Sequence, residues 1–291
     1  MKIPKDLKIN RITLHPLNTN DNSMGWEAYT FLKNQTGMPV GGGYSTEKEI
    51  AKLISVSETI ERYHVRKINK SNNEEIYNKW GMSHDSSSSG FAFGDNEKFS
   101  LTGAICEAYE RYVRYYGIYC GFRMSVLEVK KNTNIQFFLK SFFDKTIFYT
   151  KSDNFIINNI KIRIISLISL GFKNKGVFIG ASSQIESLDM QIENLITHSL
   201  IEMYRNYRIF NNHLLGNENK FNYDHVELRT LKAGKDSAQI LSVLNSSSQI
   251  WRTPEIKLLN QEYFKNSEGY LSRCLIRGVP SWENLLTEKL I

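Results

Sequence analysis

Apolar and polar residues alternate in short runs between residues 10 and 40, as in ITLHPL and WEAYTFL, and the runs are broken by NTNDNS and KNQTG. Alternation with a period of two, interrupted by turn-forming residues, predicts strands joined by turns. The pattern then changes. After Gly41 to Gly43, the stretch STEKEIAKLISVSETIERYHVRKI places apolar residues at helical spacing, with Ser45 or Thr46 as a candidate cap. The small polar stretch SHDSSSSGFAFGDNEK reads as a loop, and a second helix is expected from about Asn96 to Tyr116. KIRIISLISL, GFKNKG and GVFIGAS read as a β-hairpin over 161–182. A third helix is expected from about Leu188 to Phe210, ending near Asn211 and Asn212, and YLSRCLIRGVP is a closing strand that stops near Pro280.

Strands interspersed with three long helices predict a layered α/β fold of the α+β kind. With five prolines and no Gly/Ser-rich run between composition classes, a single domain over residues 1–291 is expected, β-rich at about 10–40. The composition, 41% hydrophobic and 23% charged, is that of a folded globular protein. The N-terminal MKIPKDLKINRITLHP has no signal-type apolar core, and no run approaches the roughly 18 apolar residues of a membrane span, so a cytoplasmic protein is expected. Cys106, Cys120 and Cys274 have neither disulfide nor zinc spacing and read as reduced. A net charge of +7 suits an anionic partner, but the lysines are dispersed and no nucleic-acid-binding signature is present.

One pattern occurs twice. Glu58, Glu61, Arg62 and Tyr63 form E-x-x-E-R-Y, and Glu107, Glu110, Arg111 and Tyr112 repeat it. Positions i, i+3 and i+4 share a helix face, so each copy groups two carboxylates with a guanidinium. Read singly, these are i,i+4 ion pairs contributing about a few tenths of a kcal/mol on a solvated face, and that reading stays open. Both copies, however, lie on helices with wide apolar faces. Clustered carboxylates repel unless a cation joins them, and Mg²⁺ prefers such hard oxygen ligands together with nucleotide phosphates. The arginines can bind phosphate oxygens.

Other groups carry weaker signals. His64 and His84 flank the candidate segments and could act as acid or base, whereas the other four histidines read as structural or surface residues. Cys106 precedes Glu107 but reads as a small buried hydrophobe. Tyr63, Tyr112, Tyr115 and Tyr116 could stack on a base and are expected to pack in the core.

The order of these motifs resembles the YcaO family. In that family a turn similar to G-K-G precedes a helix with S-x-x-x-E-x-x-E-R, followed by a loop similar to S-x-G-x-A-x-G. Here the corresponding residues are Gly41 to Gly43, then Ile54 through Glu58 to Glu61 and Arg62, then Ser89 to Gly94. The hairpin ending in IGAS, the third helix and CLIRGVP follow in the same order, so the likeness spans about residues 20–285.

The resemblance implies a mixed β-sheet with three long helices carrying the acidic motifs, and ATP and Mg²⁺ as cofactors. Glu58, Glu61, Glu107 and Glu110 would be metal ligands, and Arg62 and Arg111 phosphate contacts and charge stabilisers. Ser86, Ser87, Ser88, Ser89 and Gly90 would cradle the nucleotide, with Glu202 as a lesser contributor. The implied activity is phosphorylation of a backbone amide oxygen in a ribosomally made peptide, giving an azoline, thioamide or amidine. The implied partners are the precursor peptide, a separate leader-binding protein and a dehydrogenase, with a homodimer as a further expectation. A catalytically degenerate scaffold or activating subunit is the alternative. It is suggested by Gly42 in place of Lys, Ile54 in place of Ser, Arg205 in place of Gln, and a chain that ends without a proline-rich tail.

Overall fold

In the computed structural model the described residues are 2–19, 22–33, 39–85, 89–119, 124–129, 142–157, 160–173, 176–186, 192–214 and 253–276. They form an α+β fold whose chain divides into two compact units, 1–108 with 256–283, and 109–255 with 284–291. No helix among the described residues is long and apolar enough to cross a membrane.

The first unit begins with β1 (Ile9–Thr19), β2 (Asn22–Leu32) and β3 (Gly41–Ser45), an antiparallel sheet in that order. The Gly41 to Gly43 segment, expected as a turn, is thus a strand paired with β2. Helix α1 (Lys48–Asn69) packs on this sheet through Ala51, Ser55, Thr59 and their neighbours. The expected cap is absent. Glu47 occupies the N-cap without a side-chain bond, while the Ser45 hydroxyl accepts from the Glu47 N–H at 3.1 Å.

The short helix α2 (Glu74–Lys79), capped by Asn73, was not foreseen. Nor was β4 (Phe91–Gly94), because FAFG lies inside a small polar stretch that reads as a loop. Its alternating phenylalanines are buried, and it pairs antiparallel with β10 (Gly269–Ile276), which in turn pairs with β9 (Ile256–Phe264). Val56, Ile60, Val65 and Ile68 of α1 meet Leu7, Trp80, Met82, Phe91, Phe93 and Leu271 in one apolar cluster. Burying each large side chain there contributes about 1.5–3 kcal/mol. Helix α3 (Glu97–Arg114) starts at Asn96, whose side-chain oxygen accepts from the Phe99 N–H at 2.9 Å.

The second unit takes Tyr109 to Arg114 of α3 and the π-helical turn Tyr115–Tyr119. Its sheet is antiparallel in the order β5 (Ser125–Val126), β6 (Lys145–Ile157), β7 (Ile160–Lys173) and β8 (Gly176–Ile185). The expected hairpin is β7 with β8; β6 was missed. Helix α4 (Ile192–Leu214) continues through Asn211 and Asn212 and packs on β7 and β8. Small hydroxyl residues allow that approach: Ser199 bonds Ser169 at 2.6 Å, and Ser182 donates to the Leu195 carbonyl at 2.7 Å. The closing strand is β10, and Pro280 lies outside the described residues.

Candidate functional site

The first unit assembles its polar site where α1 passes the ends of β3 and β4. Gly41 and Gly43 set the distance between helix and sheet. A methyl group on Gly41 would lie 2.2 Å from the Ser55 carbonyl oxygen and the Thr59 hydroxyl, and one on Gly43 would lie 2.2 Å from the Ala51 carbonyl oxygen. Gly42 faces the other way, and a methyl there would meet nothing closer than 3.6 Å, the neighbours being Glu58 and Tyr29. Gly41→Ala and Gly43→Ala are therefore expected to destabilise the fold by about 1–3 kcal/mol each. Gly42→Ala should be nearly neutral, and chemical denaturation of the three variants checks the ordering.

Close approach brings Glu58 to the β3 backbone. Its Oε2 accepts from the Gly42 N–H at 2.5 Å, and its Oε1 is ion-paired with Arg62. Arg62 also donates to the Val40 carbonyl at 2.7 Å, so the guanidinium ties α1 to the start of β3. Charge-assisted bonds of this kind hold the carboxylate in one orientation.

One turn along α1, Glu61 has a different environment. β4 is an edge strand whose outward-facing groups at Phe93 are met by helix side chains. The Phe93 N–H donates to the Glu61 carboxyl, and the Ser57 hydroxyl donates to the Phe93 carbonyl at 2.9 Å. Glu61 as a residue is half-buried, but its carboxyl group lies deep among protein atoms. Burial above all, then repulsion from Glu107 and Glu58, holds its pKa well above the ordinary carboxylate range, against the opposing pull of Arg62 and the Phe93 N–H. Glu107 is exposed on α3. Glu58 and Glu107 of the first unit thus both act on Glu61 electrostatically.

Among the described residues, no three His, Cys, Asp or Glu side chains are already gathered as a metal-binding group. In donor chemistry alone these residues suit the ion, since Mg²⁺ takes hard carboxylate oxygens of this kind.

The remaining candidates are distributed as follows. Ser89 is buried and Gly90 follows it in the first unit, while Ser86, Ser87 and Ser88 lie outside the described residues. Glu110, Arg111 and Glu202 belong to the second unit. There Glu202 is engaged through both oxygens, with Arg114 at 3.0 Å and the Ala181 N–H at 2.7 Å. His64 is buried, bonded to the Ser267 hydroxyl at 2.6 Å and packed on Phe264 and Phe93. Burial pushes its pKa down to about 4, so it is a neutral core residue and not an acid or base of the site. His84 is exposed just before the serine segment.

Cys274 is buried, its thiol pushed up to about 12 by burial and by neighbouring Cys106, so it stays protonated; Cys120 lies outside the described residues. Tyr112 and Tyr116 pack on each other with ring centroids 4.6 Å apart. Tyr63 donates to Asp6 and lies under Lys67, which leaves it at the surface of α1. Sequence reasoning missed Ser57 and the Phe93 backbone, since both depend on β4. It also missed that Arg273, the charged residue within the apolar run YLSRCLI, is fully buried.

The structure is similar to a chain of the E. coli microcin synthetase McbBCD complex, with a TM-score of 0.57 over 91% of this chain and 87% of that one at 11% identity. It is similar also to YcaO from Methanopyrus kandleri, solved with AMPPCP and Mg²⁺, with a TM-score of 0.52 over 95% of this chain and 87% of that one at 10% identity. The chain has a YcaO-like fold. A heterocyclase solved with substrate and cofactor gives a TM-score of 0.53 at 11% identity over 93% of this chain, which spans half of that longer one. No protein-family profile and no curated protein matches the sequence. At these identities the likeness concerns the YcaO-like fold itself, and chemistry must be argued from this chain's own residues.

Proposed function

We propose that this protein binds Mg²⁺ and ATP and uses them to phosphorylate a backbone amide oxygen of a ribosomally made peptide. The observation that carries the reading is the buried carboxyl group of Glu61, on which both Glu58 and Glu107 act, with Arg62 beside Glu58. The YcaO-like fold supports it, because one similar structure holds AMPPCP with Mg²⁺ and another is a heterocyclase with its substrate. Glu58, Glu61 and Glu107 would hold the metal, which supplies charge neutralisation at the phosphates.

The residues divide the work. Gly42 and Arg62 hold Glu58 in place, and Phe93 and Ser57 hold the Glu61 turn against β4. Arg62 lies within one helical turn of both carboxylates and would balance charge on the transferring phosphoryl group. The amide carbon is attacked by a Cys, Ser or Thr side chain of the peptide, or by an external sulfur or nitrogen nucleophile. The resulting oxyanion takes the γ-phosphoryl group, releasing ADP, and phosphate later leaves with the former amide oxygen. An azoline, thioamide or amidine results, according to the nucleophile.

Ser89 and Gly90 are the described part of the proposed nucleotide cradle. Roles for Glu110, Arg111 and Glu202 are proposals tested by substitution, and Glu202 must first exchange Arg114 or the Ala181 amide for a ligand. The precursor peptide and a separate leader-binding protein are the proposed partners, with a dehydrogenase and a second copy of the chain as further ones. Similar chains come from a synthetase complex, also solved with its pro-peptide bound.

A second reading has a specific observation in its favour. Glu58, Arg62 and Gly42 already satisfy one another, as expected of a scaffold that retains the fold without turnover. Calorimetric titration with Mg·ATP, followed by phosphate release in the presence of precursor and partner, separates the two. Binding with peptide-dependent phosphate release is expected. Binding without release supports the scaffold, and no binding by the wild type rejects the site.

A further inference from the structure

Lysines that are dispersed along the sequence are gathered by the fold at one end of the first unit. Lys2, Lys5, Lys8 and Arg11 recur at every third position of the N-terminal segment and are exposed, while Pro4 and Leu7 between them are buried. Leu7 enters the apolar cluster with Val65 and Ile68 of α1, and Ile9 and Leu32 pack against it. That shared cluster pins the N-terminal segment, the end of β2 and the last turns of α1 to one another. Lys33 follows Leu32, and its N–H donates to the Lys8 carbonyl at 3.0 Å. Arg66 and Lys70, one helical turn apart, are exposed beside the buried Val65 and Ile68. Burial of the apolar positions thus leaves their basic neighbours on the outside.

Two of these cations have a carboxylate, Lys2 with Glu268 at 3.2 Å and Lys67 with Asp6 at 2.8 Å. Lys5, Lys8, Lys33, Arg66 and Lys70 form no ion pair among the described residues. Like charges held together cost stability, and an anionic partner offsets that cost. The aromatic rings at this end indicate which anion. The Arg11 guanidinium carbon lies 4.7 Å from the centre of the Phe31 ring and the Lys67 Nζ 4.5 Å from that of Tyr63, so both faces are already covered by cations. Single-stranded nucleic acids need open aromatic faces on which bases stack, and phosphates favour the bidentate fork of arginine. The cations without a carboxylate are four lysines and one arginine. Carboxylates spaced along an acidic polypeptide need neither stacking nor a fork.

We propose that this basic end of the first unit, around Lys8, Lys33, Arg66 and Lys70, docks an acidic segment of the peptide on which the protein acts. That the segment belongs to the substrate rests on the function proposed above, whereas the charge match does not. Arg66 and Lys70 lie five and nine residues beyond Glu61 on α1, roughly 8–14 Å along the helix axis. About two to four extended residues span that distance. A peptide held at the end of α1 therefore reaches Glu58 and Glu61 with the residues next to its acidic segment. The two glutamates repel that segment from the site itself, which fixes the direction in which the peptide lies.

The test is fluorescence anisotropy on the full-length protein with a labelled decapeptide of alternating Glu and Ser, and with its Gln-for-Glu counterpart, at rising NaCl. Wild type should bind the Glu peptide about tenfold or more tighter than the Gln peptide, and the preference should fade as salt screens it. The combined variant Lys8→Gln, Lys33→Gln and Lys70→Gln should lose about tenfold or more in affinity for the Glu peptide. Lys98→Gln, Lys161→Gln and Lys257→Gln remove the same charge from exposed positions elsewhere and should stay within about twofold of wild type. Equal loss in the two variants would mean that net charge alone binds the peptide and would overturn the proposal. A wild type that does not prefer Glu to Gln would overturn it too. So would a ten-nucleotide RNA, or vesicles containing phosphatidylserine, that bound more tightly than the Glu peptide through the same three lysines. Binding of the Glu peptide through these lysines without any binding of Mg·ATP would remove the proposed function and leave a docking surface for an acidic polypeptide. Binding of Mg·ATP without the Glu peptide would remove this inference alone.

Discussion

Glu61→Gln is expected to stabilise the metal-free protein while weakening Mg·ATP binding by about 100-fold or more. The two effects have one cause. Glutamine keeps the shape and can still accept from the Phe93 N–H, but it carries no charge to be desolvated and none to repel Glu107 and Glu58. Removing a buried charge that Arg62 and the Phe93 N–H only partly offset raises stability, and for a chain of this size each kcal/mol shows as about 2–4 °C in the melting temperature. Calorimetry gives the affinity and thermal denaturation without divalent ions gives the stability. A variant that melts lower and still binds Mg·ATP would contradict both halves. Glu262→Gln, which breaks an exposed pair with Lys79 at 3.3 Å, is the matched control and should change neither.

Metal affinity should fall steeply with acid. The Glu61 carboxyl must be ionised to bind Mg²⁺, and its pKa in the folded protein is raised by burial and by its acidic neighbours. As pH falls through that raised value, affinity should drop by up to about tenfold per unit, and binding should release a proton. The same shift has the opposite sign for stability. A carboxyl group whose folded pKa is raised contributes stability that is fully present below its unfolded value of about 4.3 and is lost as pH rises through the folded value. The metal-free protein should therefore become less stable across that interval, and Mg²⁺ should restore the loss. Titrations in buffers of different ionisation enthalpy measure the released proton. An affinity independent of pH, with no proton released, would show that Glu61 is not a ligand.

The long helices and the β7–β8 hairpin were legible because each buries a face large enough to impose a period on the sequence. β4 was not. Four residues, FAFG, carry one alternation only, and their strand identity comes from pairing with β10 almost two hundred positions away. The acidic grouping was legible in the sequence, since E-x-x-E-R on a helix groups carboxylates whatever the tertiary structure. Its asymmetry was not. Glu58 is satisfied by Gly42 and Arg62, whereas Glu61 is the strained member, because one faces the end of β3 and the other lies against β4.

The glycines show the same limit. Three consecutive glycines read as a turn, yet Gly41 and Gly43 are demanded by the approach of α1 and Gly42 is not. His64, in sequence next to the motif, faces the core because position 64 falls on the same side of α1 as Ile60 and Ile68.

On the function proposed above, Glu58, Glu61 and Glu107 hold the divalent ion that carries the nucleotide. Diffraction from crystals grown with Mn²⁺ and AMPPCP, recorded at the manganese edge, locates that ion directly. An anomalous peak at coordination distance from Glu58, Glu61 and Glu107, shared with the phosphates, is expected. Nucleotide phosphates and manganese bound elsewhere, with these carboxyl groups unchanged, would contradict it.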